Sequence, residues 1–175
     1  GKYWKGKNCN MTSFPIFISL EGKPCLIVGG GNVAARKCRG LLAFGADVTV
    51  IAKKVGLTAD LHNTDKVTDH DRAATRLHMT ERSFRERDVT EKEWTLVIAA
   101  TDDREVNSRV ARLCHERNIP VNVADCQSEC TFFFPAYCKE GNIAVGITTS
   151  GKSPGMASSL RKRLEAVLPE WIEEI

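Results

Sequence analysis

A glycine-rich segment directly after a short apolar run constrains the fold of this 175-residue chain more than any other feature. Residues 29–34 read GGGNVA, which fits the pattern G-x-G-x-x-A, and they continue directly from the apolar run Pro24–Gly29, with which they share Gly29. In that position, Gly29 permits a tight turn, Gly31 lets a diphosphate approach the backbone, and Ala34 keeps the next helix close to the strand. The segment therefore predicts a dinucleotide-binding strand–turn–helix unit; a glycine turn needed only for packing is the alternative.

Strand and helix patterns alternate along the chain as far as residue 125. We predict strands at Pro24–Gly29, Asp47–Ala52, Arg76–Phe84 (an edge strand), Thr95–Ala100 and Pro120–Ala124, and helices at Asn32–Phe44 and Asp103–Asn118. Residues 53–75 are polar and predict only a short helix or loop. Such alternation implies right-handed crossovers, so the expected fold class is α/β, a Rossmann-like doubly wound parallel sheet with helices on both faces.

The pattern changes after Asp125. Thr131–Tyr137 and Asn142–Thr149 predict an antiparallel β-hairpin around a turn at residues 139–141, and a helix is expected from Pro154 through Leu168, with Ser153 as its N-cap. The expected organisation is an N-terminal extension (1–13), a dinucleotide-binding domain (14–125), a hairpin segment (126–153), and a C-terminal helical segment (154–175) that we expect to be incomplete.

Charge and cysteine content narrow the functional classes. The formal net charge of +3 is too small to indicate a nucleic-acid partner, and no apolar run approaches the roughly 20 residues of a membrane span. The seven cysteines are scattered, which favours a reducing, cytoplasmic setting. The spacing of Cys126, Cys130 and Cys138 matches no usual zinc pattern, so we expect no permanent metal site.

Several candidate cofactor-binding residues follow strands, where open α/β sheets bind their ligands. No acidic residue ends the second strand; Lys53 and Lys54 stand there, which leaves the choice between NAD and NADP open. Asp103, after the fourth strand, either caps the next helix or binds a ligand. The candidate cofactor-binding set is Gly29, Gly30, Gly31, Asn32, Val33, Lys53, Lys54, Thr101 and Asp102.

Four segments together resemble one known family. They are FPIFISLEGKPCLIVGGGNVAARK, TLVIAATDDREVN, VNVADCQSECTFFFPA and GITTSGKSP. In this order they resemble the precorrin-2 dehydrogenases, which form the N-terminal module of sirohaem synthases. The resemblance covers about Phe14 to Leu168, and the last two segments are its most specific part. Family members usually carry more helix beyond this point, so part of the substrate-binding surface is expected to be missing where the chain ends at Ile175.

The resemblance implies an oxidoreductase that uses NAD to convert precorrin-2, a carboxylate-rich tetrapyrrole, into sirohydrochlorin on the way to sirohaem. Some members also insert ferrous iron, so Fe²⁺ is a possible second substrate. The resemblance further implies a homodimer in which the hairpin segment is the dimerisation segment. It places the family's important aspartate at Asp125, and the diphosphate and ribose contacts at Gly29–Val33, Lys53 and Lys54.

The residues themselves are compatible with this chemistry. Dehydrogenation needs a base for the proton that leaves with the hydride, and Asp125, just past the fifth strand, is the candidate catalytic residue. Its alternative is a turn residue that bonds its own backbone. The candidate substrate-binding residues, Thr149, Ser150, Lys152 and Ser153, precede a helix start that can bind carboxylates, with simple helix capping as the alternative. The competing function is an NAD(H)-sensing regulatory module without catalysis.

Overall fold

The computed structural model describes residues 13–54, 76–150 and 152–173, which fall into two compact units. The larger, which we call the sheet unit, is Ile18–Phe132. The smaller, the hairpin unit, combines the described residues up to Phe17 with those from Phe133 onward. None of the helices in the described ranges is long and apolar enough to cross a membrane.

A five-stranded parallel sheet with the order β3-β2-β1-β4-β5 forms the centre of the sheet unit. Its strands are β1 (Pro24–Val28), β2 (Asp47–Ala52), β3 (Leu77–Glu81), β4 (Leu96–Ala99) and β5 (Val121–Val123). Its α-helices within the described ranges are α1 (Asn32–Ala43), α2 (Arg87–Thr90) and α3 (Arg104–Glu116). This is the predicted doubly wound α/β fold; the short helix α2 was not predicted.

The strand register aligns the carboxyl ends of the central strands. Val28 of β1 pairs with Ile51 of β2 and with Ala99 of β4, and Ala99 pairs in turn with Val123 of β5. In parallel sheets these aligned ends form the edge at which ligands bind. The residues that follow β1, β2, β4 and β5 therefore emerge along one edge of the sheet.

Apolar side chains fill the space between sheet and helices. Every residue of β4 is buried, and Leu26, Val97 and Val121 are fully inaccessible to solvent. Burying a side chain of this size contributes roughly 1.5–3 kcal/mol, so these continuous apolar runs fix the central strands. By contrast, β3 is the outermost strand of the sheet and is mostly exposed, as its weaker pattern predicted. It is also shorter than the predicted Arg76–Phe84.

The hairpin unit contains two antiparallel strands and a long helix. Its elements are β6 (Ala136–Glu140), β7 (Ile143–Ile147) and α4 (Pro154–Glu173). Helix α4 begins at the predicted Pro154, and the Met156 amide donates to Ser153 Oγ at 3.4 Å, which confirms Ser153 as the N-cap. The helix continues past the predicted end at Leu168 to Glu173, with Pro169 inside it.

The first predicted strand of the hairpin was wrong over most of its length. Thr131 instead bonds back to the sheet unit: its amide donates to the Val121 carbonyl at 2.8 Å, and its Oγ1 accepts from the Val121 amide at 2.7 Å. Pro135, which has no N–H to donate, immediately precedes β6. The strand therefore starts five residues later than predicted, at Ala136.

The turn of the hairpin was also misplaced. Lys139 and Glu140, predicted to lie in the turn, belong to β6, and Glu140 pairs with Ile143. The chain reverses at Gly141, whose φ of +54° suits glycine, and at Asn142. The second strand ends at Ile147 rather than at the predicted Thr149. The predicted helix or loop at residues 53–75 lies outside the described residues beyond Lys54.

Candidate active site

The turn after β1 passes against the end of β4. Gly29 has φ +128°, and a Cβ at this position would lie 2.1 Å from the Ala100 carbonyl oxygen. The amide of Gly29 also donates to the Ile51 carbonyl at 2.9 Å. Only glycine tolerates both this backbone conformation and this close approach. The tight turn predicted at Gly29 is therefore required by the neighbouring strand.

Gly30 brings the end of β2 against the same turn. A Cβ at Gly30 would lie 2.3 Å from the Lys54 carbonyl oxygen and 2.9 Å from the Ala52 Cβ. Lys53 and Lys54 are exposed, and no ion pair within the described ranges engages either ammonium group. The structure thus places the backbone of one predicted ribose contact, Lys54, directly beside the glycine turn.

Gly31 differs from its two neighbours because no atom of the described residues requires it to be glycine. A Cβ there would meet nothing within 4 Å, and its φ of −84° is accessible to other residues. Gly31 is the N-cap of α1, no side chain caps that helix end, and the first turn, which contains Asn32 and the exposed Val33, carries no acidic residue. The positive end of α1 is thus open to an anion, and the residues present fit a dinucleotide diphosphate.

An internal hydrogen-bond network fixes the turn after β4. The Thr101 hydroxyl donates to Asn107 Oδ1 at 2.7 Å, and the Asn107 side-chain amide donates to the Thr101 carbonyl at 3.0 Å. Asn107 is completely buried. Asp103 caps α3, since its Oδ1 accepts from the Glu105 and Val106 amides at 3.0 and 3.2 Å. The capping interpretation of Asp103 is therefore confirmed, whereas Asp102 is exposed next to this turn.

Asp125 lies two residues beyond β5 and is paired with an arginine. Its Oδ1 accepts a hydrogen bond from Arg104 Nη1 at 3.0 Å, and its side chain is 38% exposed. The second guanidinium nitrogen of Arg104 contacts Glu129. The carboxylate therefore remains accessible to solvent while a cation from the start of α3 holds one of its oxygens.

A buried lysine supports β5, the strand that leads to Asp125. Lys37 Nζ, on α1, donates to Asn122 Oδ1 at 2.8 Å, and the Asn122 amide donates to the Phe132 carbonyl at 3.0 Å. Burial, with the nearby Arg36 charge, lowers the pKa of Lys37 from 10.5 to about 8. The Cys130 thiol accepts from the Val123 amide at 3.1 Å, and burial raises its pKa.

The predicted substrate-binding residues form the turn before α4. Thr149 closes this turn: its Oγ1 accepts from the Ser153 amide at 3.1 Å and its carbonyl from the Lys152 amide at 3.0 Å. Ser150 has φ +52°, and its hydroxyl lies 3.5 Å from the Ser13 hydroxyl. Lys152 is exposed. These contacts bring the four residues together as a local structural unit, and they include the helix capping that was the alternative prediction.

Sequence reasoning missed Lys37, Arg104 and Asn107. Asn107 had a detectable signal, because it is a polar residue on the face of α3 that also carries the buried Val110 and Ala111. Lys37 and Arg104 had none, since a lysine or arginine on a helix is normally solvated. Within the described ranges, no group of three or more His, Cys, Asp or Glu side chains is arranged to hold a metal ion.

The fold and the open glycine turn define a dinucleotide-binding Rossmann domain. Comparison with known proteins agrees: residues 16–136 match the model of a family described as "Putative NAD(P)-binding", and the chain belongs to that family.

Curated relatives are named "Siroheme synthase". The protein from Methylococcus capsulatus is 43% identical over 160 residues, which is 91% of this chain and 31% of the relative. The protein from Pseudoalteromonas translucida is 40% identical over 163 residues, or 93% of this chain and 32% of the relative. The chain thus spans about a third of the length of these relatives.

A solved structure described as "SirC, precorrin-2 dehydrogenase" has the same fold. It aligns with a TM-score of 0.70 and 25% sequence identity, over 88% of this chain and 70% of that chain. The alignment extends beyond the part of the chain that the family model matches, so the similarity is not limited to a generic nucleotide-binding core.

Proposed function

We propose that this chain oxidises precorrin-2 to sirohydrochlorin, with NAD⁺ as the hydride acceptor, in sirohaem biosynthesis. The proposal rests on one observation: the glycine turn and Asp125 both follow the aligned carboxyl ends of the parallel strands. The glycine turn after β1 is open to a diphosphate at Gly31, and Asp125 follows β5 at the same edge, with only β4 between the two strands. The named relatives and the SirC structure support this choice of reaction.

In the proposed complex, the residues that follow β1, β2 and β4 bind different parts of the dinucleotide. The start of α1, from Gly31 to Val33, holds the diphosphate by its amides and its dipole. Lys53 and Lys54 would hold the adenosine ribose, because the end of β2 lies against Gly30 of the glycine turn. The turn at Thr101 and Asp102 adjoins Gly29 and flanks the dinucleotide. When bound, NAD⁺ supplies the acceptor for the hydride.

Asp125 is the proposed base. The Asp125 carboxylate would take the proton that accompanies the hydride and pass it to water, while bound NAD⁺ would supply the hydride acceptor; precorrin-2 would thereby lose two electrons and two protons in total. The 38% exposure of the side chain allows this exchange with solvent. A positioned base of this kind contributes about 100- to 10,000-fold to the rate.

The turn before α4 is the proposed site for substrate carboxylates. Lys152 supplies an exposed positive charge, and Thr149 and Ser150 shape the backbone ahead of the helix start. A helix N-terminus favours anionic groups through its dipole. Ser153 caps α4 and keeps this end of the helix in place.

The proposal includes a homodimer held through the hairpin unit. That unit exposes large apolar side chains, among them Phe14 at 85%, Phe17 at 76% and Met156 at 59%. Exposed apolar surface of this kind commonly marks a protein–protein interface. A cytoplasmic location is proposed as well, in keeping with the six free cysteines of the described residues. Light scattering that gives the mass of a monomer would contradict the dimer.

The experiment that tests the function is an anaerobic assay of the purified chain with precorrin-2 and NAD⁺. We expect NADH and sirohydrochlorin to form in equal amounts. Fe²⁺ added afterwards tests iron insertion, the proposed second step, through the appearance of sirohaem. An NAD(H)-sensing module would bind NAD⁺ in calorimetry yet form no NADH, and that result would refute the proposed dehydrogenase.

A further inference from the structure

One face of α3 holds the loop that carries Asp125. Three side chains on this face, Arg104, Ser108 and His115, contact the residues that follow β5. Ser108 Oγ donates to Glu129 Oε1 at 3.3 Å, and His115 Nε2 donates to the Glu129 carbonyl at 2.9 Å. Of the two acids in this loop, Ser108 and His115 contact Glu129, whereas Arg104 contacts both Asp125 and Glu129.

The guanidinium of Arg104 bridges Asp125 and Glu129. Nη1 donates to Asp125 Oδ1 at 3.0 Å, while Nη2 contacts Glu129 Oε1. The side-chain hydrogen bond to Glu129, together with the charges of both acids, raises the pKa of Arg104. Because the guanidinium is planar and rigid, fixing one of its nitrogens on Glu129 also fixes the direction of the other.

Glu129 is suited to act as the fixed end of this bridge. Its side chain is less exposed than that of Asp125, at 26% against 38%, and its Oε2 atom is buried without a hydrogen-bond partner in the described residues. Ser108 holds the same oxygen that Arg104 contacts. Arg104 therefore connects the constrained Glu129 to the more exposed Asp125.

We propose that Arg104 is a positioning residue that orients the Asp125 carboxylate for proton removal. The inference rests on the proposed function, because it assigns Arg104 a role only through Asp125. An exposed ion pair contributes little to stability, so loss of Arg104 leaves the fold intact. Arg104 Nη1 holds Oδ1 of Asp125 and thereby fixes the plane of the carboxylate. The other carboxylate oxygen is then oriented to accept the proton from the substrate.

The experiment compares kcat for precorrin-2 oxidation in Arg104→Met, Arg104→Lys and two control variants. Arg112→Met removes an arginine of the same helix whose ion pair joins Glu116 at 2.9 Å. His115→Ala removes a contact to the Glu129 backbone carbonyl, while the Glu129 carboxylate keeps its contacts with Arg104 and Ser108. We expect Arg104→Met to lower kcat about 10-fold or more, since misplacing a reacting group by 1 Å costs up to about 100-fold. Arg104→Lys should recover part of the loss.

The controls should keep kcat within about twofold of wild type, and all variants should keep the wild-type Kd for NAD⁺ and the wild-type melting temperature. A double-mutant cycle then tests the route of the effect. In an Asp125→Asn background, Arg104→Met should change kcat little, because the group that Arg104 orients is already lost. A merely structural role would give the same loss in both backgrounds.

The possible failures are distinguishable. An active Arg104→Met variant beside a slow Asp125→Asn variant would overturn the positioning role and leave the proposed function standing. Equal losses in Arg104→Met and His115→Ala would trace the effect to loop anchoring and overturn it too. A wild-type chain that forms no NADH from precorrin-2 would overturn the proposed function and this inference with it.

Discussion

The ammonium group of Lys37 lies 2.8 Å from Asn122 Oδ1, and both residues are buried. The bond joins α1, the helix that starts at the glycine turn, to β5, the strand that leads to Asp125. A charged amine in such a place is costly because burial favours its neutral form. Burial accordingly lowers the pKa of Lys37 to about 8, close to the physiological range.

The lowered pKa of Lys37 predicts that its deprotonation stabilises the fold at alkaline pH. Since the pKa of Lys37 is lower in the folded than in the unfolded chain, the cost of its charge is fully present below about pH 8 and disappears as the pH rises toward 10.5. The free energy of unfolding of wild type, minus that of Lys37→Met, should rise by about 2 kcal/mol from pH 7 to pH 10, because one pKa unit corresponds to about 1.4 kcal/mol. Urea unfolding at several pH values measures it.

Comparing wild type with Lys37→Met also removes the effect of other groups that titrate between pH 7 and pH 10. Burial raises the pKa of the Cys25, Cys38 and Cys114 thiols to about 12, so their contribution lowers stability above about pH 9. These thiols are present in both proteins and cancel in the difference. A difference that stays flat across the range would show that Lys37 titrates normally in the folded chain.

The glycine turn predicts opposite outcomes at two neighbouring positions. Gly29→Ala should destabilise the fold by at least about 2 kcal/mol, because it combines a strained backbone with a clash at Ala100. Gly31→Ala should keep or slightly raise stability, by up to about 1 kcal/mol, since its backbone suits alanine and its Cβ meets no atom in the described part of the chain.

Calorimetry with NAD⁺ completes the comparison. Gly31→Ala should weaken binding about tenfold, a loss of about 1.4 kcal/mol, because the added methyl group occupies space proposed for the diphosphate. Gly31→Asp should weaken it further by adding negative charge. Wild-type affinity in Gly31→Asp would contradict the placement of the diphosphate at this turn.

The proposed base predicts a selective loss of turnover. Asp125→Ala should lower the rate of sirohydrochlorin formation at least about 100-fold, the lower range for loss of a positioned base. Its Kd for NAD⁺ and its melting temperature should match wild type, because the carboxylate is partly exposed and lies outside the strands. Glu105→Gln, a change at an exposed acid of the same region, serves as the control. Unchanged turnover in Asp125→Ala would remove this residue from the mechanism.

The sequence predicted the features that depend on neighbouring residues. The turn from β1 to α1 was predictable because the apolar run, the glycines and the helical spacing lie within 20 residues, and each has a local physical cause. The β6 strand was misplaced because residues 131–134 have the composition of a strand, yet Thr131 finds its partner in Val121 of β5. Composition cannot show which backbone such a residue will pair with.

The side-chain network of the site was not predictable for a related reason. Arg104 and Asp125 are 21 residues apart, and Lys37 and Asn122 are 85 apart. Both pairs form only because parallel strands place distant segments side by side. Asn107 is the intermediate case: its position on a buried helix face signals a polar contact, but the partner, Thr101, is known only from the structure.

A second buried charge predicts acid sensitivity away from the candidate site. Asp88 accepts two bonds of 2.7 Å from Arg82 and one of 2.8 Å from the Arg85 amide. Burial alone would raise the pKa of Asp88, but these bonds outweigh it and the pKa is lowered. Its contribution to stability is therefore present above about pH 4, where the unfolded carboxyl is also ionised, and is lost as the pH falls further.

Asp88→Asn should lower the free energy of unfolding by about 2–3 kcal/mol at pH 7, less than for a fully buried pair because Arg82 is 29% exposed. The deficit relative to wild type should shrink below about pH 4, where wild type loses the same charge. Glu86→Gln, at the exposed acid that Arg112 contacts at 3.5 Å, is the matched control and should change stability by less than about 0.5 kcal/mol. A deficit that persists unchanged in acid would show that Asp88 stabilises the fold through shape and neutral hydrogen bonds rather than through its charge.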